Sequence, residues 1–370
     1  MTTFTQLGIS KAFAKALKEN NITEPTGIQE QTIPFLMTKG TDMVGQAQTG
    51  TGKTAAFGLP LLERINPKQK QIQGLVLAPT RELSQQIAKS LFRWTKYSEK
   101  IFTECVYGGA PIGQQVKNLL RPTHIVVATP GRLIDLIDRQ ALDLSAVRYV
   151  VLDEADEMLN MGFKKDIDRI LRFVPKQRNT WLFSATMPNE VRDLVRRFLS
   201  RDAFRVGTGQ KEIVNRNITH QYAVCPSGKK FETLLQFLRV QGTSRGVVFC
   251  RTKLAAAELA RQLSEQKHTA DAIQGNMSQK ERDKVMRAFK KEKLKILVAT
   301  DVAARGIDVE NLAYVVHYQL PESLEYYTHR SGRTGRAGKK GLSLALIEEH
   351  ELRRVKEIAA KLKININPAV

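Results

Sequence analysis

Apolar residues in this chain fall in short unbroken runs, separated by longer stretches of helical periodicity. Leu75–Ala78, Ile125–Ala128, Tyr149–Leu152 and Trp181–Phe183 lie in the first half. Val247–Cys250, Ile296–Ala299, Tyr314–Val316 and Leu344–Ile347 lie in the second. Runs this short, rich in Val, Ile and Leu and lacking apolar–polar alternation, predict strands buried on both faces, as in a parallel sheet. Glu82–Phe92, Leu254–Ser264 and Glu281–Phe289 carry amphipathic helical patterns between them. Strand–helix alternation predicts right-handed β-α-β units and an α/β fold of doubly wound parallel sheets. The alternation pauses at Gly207-Thr208-Gly209-Gln210-Lys211. We therefore expect a domain over 1–207, a linker over 208–217 and a second domain over 218–370. The halves could be a structural duplication, although no repeat is visible in the sequence.

Composition narrows the class. The 370 residues are enough for two domains, and 42% hydrophobic content excludes a disordered chain. Cys105, Cys225 and Cys250 are far apart, with neither a disulfide framework nor zinc-ligand spacing, which fits a reducing cytoplasm. Met1–Leu17 has no signal-peptide core, and no run approaches the 18 or so apolar residues of a membrane span. The charge is unusual: 58 Lys and Arg against 37 Asp and Glu, a net of +21. Residues 1–207 carry +9 and residues 208–370 carry +12, so the excess is no detachable tail. Such a balance favours polyanionic partners.

The candidate chemistry begins at Ala47-Gln48-Thr49-Gly50-Thr51-Gly52-Lys53-Thr54, which follows an apolar pair and precedes an apolar helical stretch. The strict phosphate-loop pattern has Gly where this chain has Ala47, but its functional end is intact. Gly50, Thr51 and Gly52 let backbone N–H groups cradle phosphates, Lys53 reaches the β and γ phosphates, and the Thr54 hydroxyl suits Mg²⁺. Asp153-Glu154-Ala155-Asp156 ends the run Tyr149–Leu152, where ligands of a parallel sheet gather. Asp153 is placed as a second Mg²⁺ ligand, and Glu154 as the group that orients or deprotonates a water. Alone, these acids could equally cap a helix. In the second half, Arg330, Arg333 and Arg336 recur at spacing three, reading as one face of a helical turn. They suit phosphate contacts across a domain cleft, with a solvated basic loop as the alternative.

With these motifs in this order the chain resembles the DEAD-box RNA helicases, superfamily-2 ATPases of two tandem RecA-like domains. The resemblance covers essentially the whole chain and is bacterial in flavour, leaving no appended RNA-binding domain. It implies ATP and Mg²⁺ as cofactors and RNA, single-stranded or in short duplexes, as a largely sequence-independent partner. It implies an adenine site at Phe4 and at Gln29 of Pro25-Thr26-Gly27-Ile28-Gln29, with Gly27 replacing a frequent second Pro. It implies coupling through Ser184, Thr186, Asp156 and His329, a ribose contact at Asp308, and arginine fingers at Arg333 and Arg336.

The implied RNA contacts are Pro79, Thr80 and Arg81, Gly109 beside Gly108, and Thr129, Gly131 and Arg132 in the first half. In the second they are Arg251, Gly275, Gln279, Thr300 and Arg305, with Asn276 replacing a commoner Asp. Hydroxyl, guanidinium and helix-start N–H groups of this kind bind phosphates without reading bases. The expected function is an ATP-dependent RNA helicase that unwinds short duplexes locally, its target chosen by RNA shape or protein partners. A DNA-directed relative and a non-catalytic ATP-gated RNA clamp or annealing protein are the alternatives. Lys280–Lys295 holds eight basic and three acidic residues and reads as a solvated helix face.

Overall fold

The computed structural model describes residues 2–48, 50–207, 217–304, 312–335 and 339–369, apart from the side chains of Val302 and Ala304. The chain divides into two compact units, Met1–Thr208 and Gly209–Val370. The expected linker lies almost wholly outside the described residues.

The first unit contains β1 (Met43–Gln46), β2 (Gly74–Leu77), β3 (Thr103–Val106), β4 (Ile125–Ala128), β5 (Tyr149–Leu152), β6 (Asn179–Ser184) and β7 (Phe204–Gly207). They form one sheet in the order β3-β4-β2-β5-β6-β1-β7, with every pairing parallel. The second unit contains β8 (Ile218–Val224), β9 (Gly246–Cys250), β10 (Ala270–Ile273), β11 (Ile296–Thr300), β12 (Tyr314–His317), β13 (Gly341–Ile347) and β14 (Ile366–Pro368). Its order is β10-β11-β9-β12-β13-β8-β14, again parallel throughout. Each strand of the first order maps onto the strand seven later, so the duplication is present in topology though invisible in sequence.

Helices cover both faces of each sheet, which explains the unbroken apolar runs. In β2, Val76 enters one core cluster, while Leu75 and Leu77 enter the cluster on the opposite face. In β5, Val151 joins the first, and Val150 and Leu152 the second. All six are fully buried. At roughly 25 cal/mol per Å² of apolar area removed from water, such strands dominate the stability of each unit.

A buried polar cluster fastens the helix Leu324–Ser331 to the second sheet. The His317 ring stacks on Tyr327 with centroids 4.6 Å apart. His317 Nε2 lies 3.1 Å from Ser343 Oγ and 3.3 Å from Ser331 Oγ, and those hydroxyls are 2.9 Å apart. His220 Nδ1 meets the Tyr327 hydroxyl at 3.0 Å. Burial pushes His220 down to about 4, and burial, with the Arg330 charge and His220, holds His317 well below the usual histidine range.

Between pH 6.5 and 4 the unfolded chain therefore takes up protons that the folded second unit refuses. Its stability falls as pH is lowered through that window, by about 3 kcal/mol for a shift as large as that of His220. Urea unfolding followed by far-UV circular dichroism checks this. Fluorescence isolates the first unit, which holds both tryptophans, Trp94 and Trp181. A His220→Asn/His317→Asn variant should flatten the pH dependence, and an equally steep loss in that variant would refute the assignment.

Candidate nucleotide and RNA sites

Because every strand is parallel, all C-terminal ends of a sheet lie on one edge, and the first unit divides its chemistry along that edge. The ends of β1, β5 and β6 carry one group of residues. The ends of β2, β3 and β4 carry another.

At the end of β1 the chain turns through Gly50 and Gly52, both with positive φ, into the helix Lys53–Arg64. At Gly52, φ is +92°, and an added Cβ would lie 2.3 Å from Gln29 Nε2, so only glycine fits. Gln29 Nε2 donates to the Gly52 carbonyl at 2.9 Å, and Thr26 Oγ1 donates to the Thr51 carbonyl at 2.8 Å. The Thr26 N–H donates to Gln29 Oε1 at 2.9 Å, closing the reciprocal cap of the helix Gly27–Thr38. Thr26 is a site residue that the sequence reading did not assign; its signal was that cap spacing. Lys53 is buried, its ammonium donating to the Ala47 carbonyl at 2.9 Å, and Thr54 follows it, half-buried.

Asp153 and Glu154 emerge from β5, both buried. Glu154 adopts the left-handed conformation at φ +51°, uncommon for a residue with a side chain and a form of strain that clusters at functional sites. Its N–H donates to Asp153 Oδ1 at 3.0 Å. Burial, reinforced by Glu154 and Asp156, pushes the Asp153 carboxyl up to about 7 against the pull of Lys53. Asp156 Oδ2 accepts from both the N–H and the hydroxyl of Thr186, each at 2.8 Å. The Asp156 N–H donates to Ser184 Oγ at 3.2 Å, and that hydroxyl donates to the Thr186 carbonyl at 2.7 Å. The Ala47 N–H reaches back to the Ser184 carbonyl at 3.0 Å. The phosphate loop, the acidic run and Ser184-Ala185-Thr186 are thus one hydrogen-bonded body.

On the other half of the edge, Thr80 caps the helix Arg81–Trp94, accepting from the Leu83 N–H at 3.3 Å. The Arg81 guanidinium lies over Gly109, where φ is +79° and an added Cβ would fall 2.0 Å from Arg81 Nη1. Thr129 opens the helix Pro130–Asp138, and Arg132 donates twice to the Ala110 carbonyl, both at 3.1 Å, pinning the Gly108–Ala110 loop. Pro79 and Gly131 sit at these two helix starts. The structure therefore brings together three loops that are widely separated in sequence.

The DEAD/DEAH box helicase model matches residues 26–194, and the helicase conserved C-terminal domain model matches residues 229–338. The chain belongs to the DEAD-box helicase family. It is 43% identical over 363 residues to the DEAD-box ATP-dependent RNA helicase CshA of Bacillus cereus, covering 98% of this chain and 69% of that one. It is 45% identical over 366 residues to the RNA helicase CrhR of Synechocystis, covering 99% and 74%. The structure of S. cerevisiae Dbp5 bound to RNA and ADP BeF3 superposes with a TM-score of 0.92 at 30% identity, covering 100% of this chain and 96% of that one. Both units are RecA-like domains.

The second unit of this DEAD-box chain repeats the threonine caps and the cation–glycine contacts of that half of the edge. Thr252 caps the helix Lys253–Glu265, accepting from the Ala255 N–H at 3.1 Å, as Thr80 does after β2. Lys253 Nζ donates to Asn276 Oδ1 at 2.9 Å, and its Cε lies 3.1 Å from where a Cβ on Gly275 would stand. That pairing mirrors Arg81 over Gly109. Arg251 is exposed, with its Nε donating to the Leu320 carbonyl at 3.2 Å. Gln279 starts the helix Gln279–Lys290, and Thr300 ends β11.

Three expectations need correction or fall outside the structure. Phe4 is 4% exposed inside the apolar core, so it has no open ring face on which a base could stack. Arg330 and Arg333 do not share a helical face, because the helix ends at Ser331 and Gly332 caps it. Arg330 is 1% exposed and committed within its own unit. It forms a bidentate pair with Asp301 at 2.5 and 2.7 Å and donates to the Gln319 carbonyl at 2.8 Å, stacked over Phe249. Asp301, 29 residues away, had no local signal in the sequence. Arg333 is buried just beyond the helix, and His329 is half-buried on it. Arg305, Asp308 and Arg336 lie outside the described residues, as does Thr49.

Gly52→Ala should lower nucleotide affinity at least about tenfold, since left-handed strain alone costs about 1–2 kcal/mol and Gln29 must also move. Titration with a fluorescent ATP analogue measures the loss, and parent-like affinity would contradict the close approach of Gln29.

Proposed function

We propose that this chain is an ATP-dependent RNA helicase that couples ATP binding and hydrolysis to local, non-processive opening of short RNA duplexes. The carrying observation is the division of one sheet edge between a complete phosphate-loop and acid site and a set of threonine, arginine and glycine phosphate binders. The names of the curated relatives and the RNA in the Dbp5 structure support the same reading.

In this reading Gly50, Thr51, Gly52 and Lys53 hold the triphosphate through backbone N–H groups and the Lys53 ammonium. Gln29 Nε2 and Oε1 each keep one free hydrogen-bonding position for the adenine edge. Glu154 orients and deprotonates the attacking water. Arg333 and Arg336, supplied by the second unit, stabilise charge on the γ-phosphate in the transition state. Thr54 and Asp153 offer an alcohol and a carboxylate, the few hard oxygen donors suited to Mg²⁺ completed by phosphates and water. When bound, the ion neutralises phosphate charge.

RNA lies against Thr80, Arg81, Gly109 and Thr129 on one unit, and Arg251, Gly275, Gln279 and Thr300 on the other. Its binding and that of ATP favour the same arrangement of the two units, so each tightens the other. Asp156, Ser184, Thr186 and His329 carry that coupling, and 208–217 joins the two units. Among the described residues no helix is long and apolar enough to cross a membrane. We place the protein in the cytoplasm, with partners or RNA shape choosing its targets.

RNA should stimulate ATP turnover, and Glu154→Gln should lower the stimulated rate by about 10²–10⁴-fold, the usual worth of a positioned base, while RNA binding persists. Turnover indifferent to RNA, or intact in Glu154→Gln, would refute the proposal.

A further inference from the structure

The helix Gln279–Lys290 begins at Gln279, one of the proposed RNA contacts, and carries most of the chain's densest basic run. Val285 and Phe289 are buried and anchor it against the second sheet. At 100° per residue, Lys280, Lys284, Arg287 and Lys291 fall within about 60° of one another on the opposite side. All four are exposed. The stripe runs for about 16 Å at 1.5 Å per residue.

The nearby acids are held by other partners. Glu281 accepts from the Ser278 N–H and hydroxyl, both at 2.7 Å. Asp283 accepts from Gln279 Nε2 at 2.9 Å. Glu292 pairs with Arg245 at 3.4 Å and Lys295 at 3.8 Å. Among the described residues, none of the four stripe cations makes a side-chain ion pair. A solvated helix usually interleaves its charges; this one keeps four cations together, starting one residue after Gln279.

The topologically equivalent helix of the first unit, Ile112–Leu119 between β3 and β4, buries Gln115 and carries Gln114 and Asn118 with a single Lys117. The stripe is therefore particular to the second unit and not a feature of the duplicated fold.

We infer that Lys280, Lys284, Arg287 and Lys291 form a second phosphate track, which takes the RNA flanking the segment gripped at Gly275 and Gln279. The inference rests on the proposed RNA function. It gives the protein a sequence-independent hold on RNA longer than its core site, through phosphates alone.

The test compares two RNAs: a short single strand that only fills the core contacts, and the same strand with long unstructured tails on both ends. The parent chain is set against a variant carrying Lys280→Gln, Lys284→Gln, Arg287→Gln and Lys291→Gln, and against its Lys/Arg-swapped counterpart. A control carries Lys68→Gln, Lys70→Gln, Lys100→Gln and Lys176→Gln, exposed cations preceding β2, β3 and β6 at the opposite sheet edge. With tailed RNA, the slope of log affinity against log salt should shrink by about 2–3 in the neutralised variant, near 0.7 per lost phosphate contact. Its slope with short RNA, and both slopes of the swapped and control variants, should match the parent.

An unchanged slope on tailed RNA overturns the inference, as does an equal loss in the control or on short RNA. Poly-glutamate competing as well as RNA of equal charge also overturns it, marking an acidic-protein surface instead. A parent chain that binds neither RNA removes the proposed function, and this inference with it.

Discussion

The Asp156 carboxylate ties the end of β5 to the end of β6 by accepting from the N–H and hydroxyl of Thr186, while its own N–H is held by Ser184. Asp156 is 1% exposed, and hydrogen bonds to a buried charge are worth about 1.5–3 kcal/mol each. Ser184 in turn receives the first N–H of the phosphate loop through its carbonyl, and Gln46 Nε2 reaches the Ala185 carbonyl at 3.4 Å. A displacement of the phosphate loop or of the acidic run is therefore felt at Ser184-Ala185-Thr186. In the proposed function, this continuous set of hydrogen bonds is what reports the state of the triphosphate.

Parallel strand order decides what surrounds that body. Each unit places its phosphate-binding loops on the three strands of one flank, with a threonine cap and a cation lying against a glycine: Thr80, Arg81 and Gly109, then Thr252, Lys253 and Gly275. The other flank is not duplicated. After β1 the chain runs through Gly50-Thr51-Gly52 into Lys53, whereas after β8 it runs through Cys225-Pro226-Ser227. In the proposed function, the duplicated flank supplies each unit with its own RNA contacts, and the flank that is not duplicated supplies the nucleotide site. Arg330 illustrates the second unit's different task. Its charge is spent internally on Asp301, fixing the segment from which Arg333 follows.

What the sequence revealed follows from how local each signal is. Central strands such as β2, β4, β5 and β9 are buried on both faces, so their apolar runs stand out. Strands β1, β3, β7, β8, β10 and β14 were missed because they lie at or next to a sheet edge, where polar residues are tolerated: Thr-Glu-Cys-Val in β3 and Asn-Pro in β14 carry no apolar run. The phosphate loop and acidic run were legible because their chemistry sits in consecutive residues. The Arg330–Asp301 pair was not, since its partners meet only through β11 and the helix Leu324–Ser331. Arginine spacing misled because Gly332 ends the helix before the second arginine. A small part of the +21 charge, Lys280, Lys284, Arg287 and Lys291, proved to share one face of a helix in the second unit.

In the proposed function, the Asp156–Thr186 link transmits nucleotide binding to RNA. The direct measurement is the ratio of RNA Kd without and with a non-hydrolysable ATP analogue, in the parent chain and in Thr186→Val, which keeps the side-chain volume but removes the hydroxyl donor. The parent ratio should fall in the range of about 5- to 150-fold typical of coupled sites, and collapse toward 1 in the variant while each ligand alone binds within about twofold of the parent. A ratio unchanged by Thr186→Val would contradict the account.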